Sequence, residues 1–267
     1  MLLRMTGLAL ALALALPVPG RGARELSTDR PDTTESPYTV ERGRIQVELE
    51  ALSWTRAQRS TPGSRGDQWA FGAFNVKAGL SPAADLQVAW TPWQRGRTED
   101  LGSGAVTEDE GSSDLMLRLK RNLWGDDGGP TAMALLPFIS LPTSKGSAGR
   151  SPTGGLILPL NIELPQGFSL AVEAEVDVVK DDEADPAHLD SLASASLSHS
   201  LWPEKVDAFL EAVSSVGEGA SSAWRPFWDA GLVFPLGPDT QADLGVNVGA
   251  APAADDLRAF VGYSFRI

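Results

Sequence analysis

The chain has 267 residues, no cysteine and a formal net charge of −13. Without a thiol there is neither a disulfide framework nor cysteine chemistry, and the acidic balance argues against nucleic acid and other polyanions as partners. The 27 Gly and 19 Pro indicate a turn-rich chain. A 42% hydrophobic content fits a soluble protein, and equally a transmembrane barrel with half of each strand polar.

Residues 1–23 read as a signal peptide: Arg4 supplies the positive start, and the Ala/Leu run from Leu8 to Leu16 is too short to span a bilayer as a helix. Cleavage fits after Gly20 or after Ala23. No later stretch is long and apolar enough for a transmembrane helix, so an exported chain that enters a membrane must do so as a barrel. Residues 24–43 are polar and carry Pro31, Pro37 and a Ser/Thr/Asp cluster, which oppose regular structure. They read either as a periplasmic lead-in or as a small plug, with Asp29, Arg30 and Asp32 paired to charges inside a barrel.

From residue 44 onward the chain alternates apolar and polar residues in successive runs, the period of a strand with two unlike faces. The runs are 44–55, 69–80, 85–93, 114–124, 131–141, 154–164, 168–179, 189–201, 206–216, 227–236, 240–250 and 257–267. The clearest is 168–179, where Phe168, Leu170, Val172, Ala174, Val176 and Val178 alternate with Ser169, Glu173, Glu175 and Asp177. Run 131–141 is apolar on both faces. In the last run Leu257, Ala259, Val261, Tyr263, Phe265 and Ile267 share one parity, and Phe260 is a large apolar residue on the other. Each run has about the ten residues that a tilted strand needs to cross a bilayer.

The connections alternate in length. Segments 56–68, 94–113, 142–153, 180–188 and 217–226 are long; 81–84, 125–130, 165–167, 203–205 and 237–239 are short. Short periplasmic turns opposite longer external loops are the mark of an outer-membrane barrel. The expected fold is therefore all-β, a transmembrane antiparallel β-barrel of about 12 strands over 44–267. Of the eight tryptophans, Trp90, Trp224 and Trp228 fall on the apolar parity; Trp54, Trp69, Trp93, Trp124 and Trp202 need a bulge to face the same way, or else point inward.

Four stretches carry a resemblance: STDRPDTTESPYTVERGRIQVE, RLKRNLWGDDGGPTAMALLPFISLPT, GGLILPLNIELPQGFSL and AADDLRAFVGYSFRI. In them the chain resembles the bacterial outer-membrane "transporter" family named for a meta-pathway of phenol degradation. The resemblance spans nearly all of the chain after residue 23. It implies a β-barrel that carries hydrophobic or aromatic compounds, and brings no catalytic motif. The chain departs from outer-membrane barrels generally in ending on Ile267 rather than an aromatic residue, which leaves Tyr263 and Phe265 to present the terminal strand to the barrel-assembly machinery.

The expected site is the inward face. Glu48 and Glu50, Lys77, Arg118 and Lys120, and Glu173, Glu175 and Asp177 share the polar parity of their strands. They read as a solvated lining with compensating charges, or as a selectivity lining whose acidic majority favours cations and neutral solutes over anions. An enzyme is disfavoured: His188 and His199 are the only histidines, and Ser191, Ser196 and Ser198 lack a third residue at fixed spacing to orient a base. No cofactor or metal is expected. The run Glu99, Asp100, Glu108, Asp109 and Glu110 reads as a solvated acidic loop, and Lys145 and Arg150 as possible contacts to lipopolysaccharide phosphates. The expected partners are outer-membrane lipid and lipopolysaccharide, the assembly machinery and small solutes.

Overall fold

The structure, a computed structural model, describes residues 24–147, 150–180, 186–217 and 223–267. The expected signal peptide lies outside the described residues. The described strands are β1 (Ile45–Ala57), β2 (Ser64–Ser81), β3 (Ala84–Trp90), β4 (Trp93–Asp100), β5 (Val106–Gly111), β6 (Leu115–Trp124), β7 (Thr131–Leu141), β8 (Thr153–Glu163), β9 (Phe168–Val179), β10 (His188–Trp202), β11 (Val206–Gly217), β12 (Trp224–Gly237), β13 (Thr240–Gly249) and β14 (Leu257–Arg266).

Each strand pairs antiparallel with its neighbours, and β1 pairs with both β2 and β14, so the sheet closes on itself. Twelve strands make the closed wall. The other two, β4 and β5, stand beyond it. Strand β2 is 18 residues long; its second half pairs with β3, while its first half pairs with β4, which in turn pairs with β5. The expectation of a plain loop over 94–113 is thus corrected: the segment forms a hairpin that prolongs the wall at the long-loop end. The loop expected over 56–68 is shorter too, because β1 runs to Ala57 and β2 begins at Ser64. Both strands are polar there on both faces, so no alternation marked them.

The barrel is inside out relative to a soluble core. Among the largest buried side chains are Lys77, Lys120, Gln46, Gln87, Glu48, Glu211, Asp85, Asp229 and Asp243. Apolar side chains point outward and stay exposed: Val176, Val178, Leu197, Leu210, Leu244, Val246, Val248 and Val261 form a band around the wall. An apolar surface this continuous is unstable in water and suits a bilayer.

Bulges settle the tryptophans. At Glu50/Leu52 the β1 ladder shifts by a residue, and the facing β2 backbone accommodates it at Gly72, whose φ of +67° favours a residue without Cβ. The shift turns Trp54 and its partner Trp69 onto the outer parity. Ladder shifts at Asn122/Trp124 and Ser200/Trp202 likewise leave Trp124 and Trp202 exposed. Beyond the β3–β4 break at Thr91–Pro92, Trp93 packs on outward Phe71 with ring centroids 5.0 Å apart. Aromatic side chains thus stand at both rims, the levels at which barrels meet the bilayer interface.

Candidate functional site

The inward face does not meet open water throughout. Residues 24–43 enter at the short-turn end, rise to mid-barrel near Thr33 and return to the start of β1. The segment has no helix or strand of its own, so its backbone amides need other acceptors. Wall carboxylates supply them. Glu48 accepts from Asp29 N at 3.1 Å, and Glu211 from Thr33 N and Thr34 N at 2.8 Å each. Glu173 accepts from Glu35 N at 2.6 Å, Asp126 from Thr39 N at 3.0 Å and Asp85 from Val40 N at 2.9 Å. Wall amides cover carbonyls in the same way: Asn122 donates to Pro37 O and Gln46 to Ser27 O.

A buried ion-pair network fixes the segment's charged side chains. Asp29 pairs with Lys77 and with Lys120, the latter at 2.7 Å, and Lys77 also pairs with Glu48. Lys120 donates to Ser36 O at 2.6 Å, and Arg118 pairs with Glu35. On the adjoining stretch of wall, β13 and β1, Arg30 meets Asp243 at 2.6 Å and Glu50 at 3.1 Å. A Cβ at Gly262 would collide with the Arg30 guanidinium, so glycine there makes room for this arm. Lys77 is 2% exposed and Lys120 0%; ions this deep are tolerable only when paired and hydrogen-bonded.

Asp32 departs from the expectation of a lumenal partner of opposite charge. It lies beside the carboxylates of Glu211 and Asp229 and near the Ser196 hydroxyl. The reason is geometric: Arg30 points to β13 and β1, and the turn at Thr33–Thr34 carries Asp32 onto the acidic β11–β12 wall.

Glu48, Glu50, Lys77, Arg118, Lys120 and Glu173 are all buried, whereas Glu175 and Asp177 are half-buried above the segment on β9. The segment therefore joins Glu48, Lys77, Arg118 and Lys120 into one network, places Glu50 in a second with Arg30, Asp243 and Arg258, and leaves Glu175 and Asp177 on the long-loop side. Sequence reasoning missed Glu211, Asp243, Asp126, Asp85 and Asn122 as anchors. Glu211 and Asp243 stood on the polar parity of their runs, but nothing in the sequence named the amides they hold. The inward apolar residues of β7, Ala132, Ala134 and Leu136, are buried along with Pro37, which explains why that strand is apolar on both faces.

The rims are also charged. At the short-turn end Arg266 pairs with Glu41 at 3.0 Å and Asp239 at 2.8 Å, and Arg44 also reaches Asp239. Burial raises Asp239 slightly, but Arg266 and Arg44 outweigh it and hold the carboxyl below its usual range. At the long-loop end Asp256 is similarly lowered: its slight burial is outweighed by Arg59 and by the amides of Arg59 and Gln58. Arg59→Ala should therefore return Asp256 toward an ordinary carboxylate pKa, a rise readable by NMR titration. The expected acidic loop is the β4–β5 hairpin, where Arg95 pairs with Glu108 and Arg65 with Glu99.

The two histidines sit at opposite ends. His188 begins β10 rather than ending a loop, and its Nε2 lies 3.4 Å from Asp190. His199 stacks on Phe168 at the short-turn end, with centroids 4.2 Å apart. Among the described residues no three His, Asp or Glu side chains form a metal-binding group.

Fold and lumen define an outer-membrane-type β-barrel with its N-terminal segment folded inside. The chain belongs to the family described as "Putative MetA-pathway of phenol degradation", matched over residues 28–267. Among solved structures it is similar to an outer-membrane channel from Pseudomonas putida F1, with 11% identity and a TM-score of 0.63 over 90% of this chain and 100% of that one. It is also similar to the NanC porin, with 8% identity and a TM-score of 0.52 over 84% of this chain and 100% of that one. No curated protein matches the sequence.

Proposed function

We propose that this chain is an outer-membrane channel for small hydrophobic or aromatic solutes, without catalytic activity. The observation that carries the reading is the closed wall with an apolar band outside and a polar lumen inside, which has a use only across a bilayer. Family membership supports the solute class. In this reading the short turns face the periplasm, outer-membrane lipid and lipopolysaccharide surround the wall, and the assembly machinery inserts it. Glu175 and Asp177 bias which ions pass; Glu48, Glu50, Lys77, Arg118, Lys120 and Glu173 shape the passage indirectly, by holding the segment.

Cell fractionation and gel mobility test the location. The chain should sediment with the outer membrane and migrate faster unboiled than boiled; recovery in the soluble periplasm with no mobility shift would refute it. Growth on a limiting aromatic carbon source tests transport. A deletion strain should grow more slowly than wild type, and equal uptake would refute the solute class. Replacing Glu175 by Gln and Asp177 by Asn should move the reversal potential in bilayers toward anion selectivity, because fixed carboxylates in a narrow passage favour cations.

A second reading is a structural or adhesive barrel without an open pore. The number of buried ion pairs between residues 24–43 and the wall favours it, since a filled lumen passes nothing.

A further inference from the structure

Above the N-terminal segment, toward the long loops, the lumen holds a cavity of about 700 Å³, within the range of roughly 300–1,000 Å³ that small-molecule sites occupy. Its wall is β11–β14. Ser215 faces Arg225 across the β11–β12 ladder, and Asn247 faces Arg258 across β13–β14. Phe227 lies between them on β12, and loop residues Ser60, Thr61 and Ala253–Asp255 form the rim.

We propose that this cavity binds a small aromatic carboxylate, its ring against Phe227 and its carboxylate on Arg258 and Arg225. The proposal rests on the channel reading, in that the site lies on the solute's route to the narrower half. Three features select the ligand class.

The first is donor capacity. Arg258 donates to Glu50 at 2.5 Å and reaches Asn247 Oδ1 only at 3.5 Å; a guanidinium has more N–H groups than these contacts use, in a planar fork that matches a carboxylate. The second is the ring surface. Phe260, below, is buried, with the Arg258 guanidinium 4.5 Å and that of Arg30 5.5 Å from its centroid. Phe227 is half-buried and lines the cavity, so it has a face to offer. The third is charge. Arg225 faces Asp255, Arg258 faces Glu50, and Asp229 stands one inward position below Phe227. With carboxylates matching the two guanidiniums, the site has no surplus positive charge to hold a dianion such as phosphate; a singly charged group binds through the directional Arg258 donors rather than through net charge. A neutral aromatic fills the same space but leaves the Arg258 donors unmet.

Equilibrium dialysis of the refolded protein in detergent tests this with benzoate, benzyl alcohol and acetate. Benzoate should bind at least about tenfold more tightly than either other probe, the size of one charge-assisted hydrogen bond or one buried ring contact. Arg258→Gln should weaken benzoate by about tenfold and leave benzyl alcohol unchanged. Arg258→Lys should fall between, since an ammonium lacks the fork. Asn247→Asp gives an independent variant that keeps Arg258 and its Glu50 contact. Its new carboxylate should take the Arg258 donors and weaken benzoate as well, so a misfolded Arg258→Gln leaves the question open to a decisive answer. Equal binding of benzoate and benzyl alcohol, or full benzoate binding by folded Asn247→Asp and Arg258→Gln, would overturn the site. Absence of any conductance, with selective benzoate binding intact, would instead overturn the channel reading and leave the site standing.

Discussion

Replacing Lys120 by Met should destabilise the barrel by about 3–5 kcal/mol, the cost of removing one partner from a buried ion pair. Lys120 is fully buried and holds both Asp29 and the Ser36 carbonyl. Its loss leaves Lys77 as the cation on Asp29 and takes the Lys120 donor from the Ser36 carbonyl. The effect should fall first on residues 24–43, because the wall keeps its own ladders while the segment has no hydrogen-bonded secondary structure. Denaturant unfolding in lipid vesicles measures the stability, and protease cleavage near Arg30 measures release of the segment. Asp29→Asn in the same chain should restore part of the loss by removing the charge left behind. Wild-type stability and protease resistance in Lys120→Met would mean that the network does not hold the segment.

Replacing Val172 by Arg should cost about 2–4 kcal/mol, the penalty for a cation on the lipid face at mid-membrane. Val172 pairs with Leu160 and Ala195 on the outer parity of β9. Its neighbour Glu173 points inward. From alternation alone Glu173→Arg belongs to a tolerant lumen; the geometry makes it costly too, since Glu173 accepts the Glu35 amide and a new cation there would stand near Arg118. The two changes should nonetheless differ in kind. Val172→Arg should impair membrane assembly and reduce the heat-modifiable form, whereas Glu173→Arg should assemble and then release the segment. Failure of both at the assembly step would mean that the register of β9 is misplaced.

These two neighbours also mark the limit of what the sequence discloses. The alternation in β9 and β14 reveals strands, faces and, with the loop lengths, the closed wall, because one face of each strand meets lipid and the other does not. Where neither face meets lipid the signal vanishes: WQRGRTED and VTEDEG pair as β4 and β5 outside the band, and beyond Trp93 and Val106, which begin them, no apolar residue marks a face. A bulge erases it locally, as at Trp54 and Trp124, where one extra residue exchanges the faces. Inside the lumen, parity identifies Glu48, Lys77, Lys120 and Glu173 as inward. It does not pair them, because their partners belong to a segment without any period, whose amides and carbonyls carry no sequence mark. Phe260 is the converse case: an apolar residue on the polar parity that the structure places under two guanidiniums.

Single-channel recording in planar bilayers tests the central claim most directly, using wild type and Lys120→Met refolded to the heat-modifiable form. The account predicts small discrete conductance steps from wild type, limited by residues 24–43, and larger or more frequently open steps from Lys120→Met. No conductance from either folded protein would contradict it, and the filled structural barrel would then be the better description of this chain.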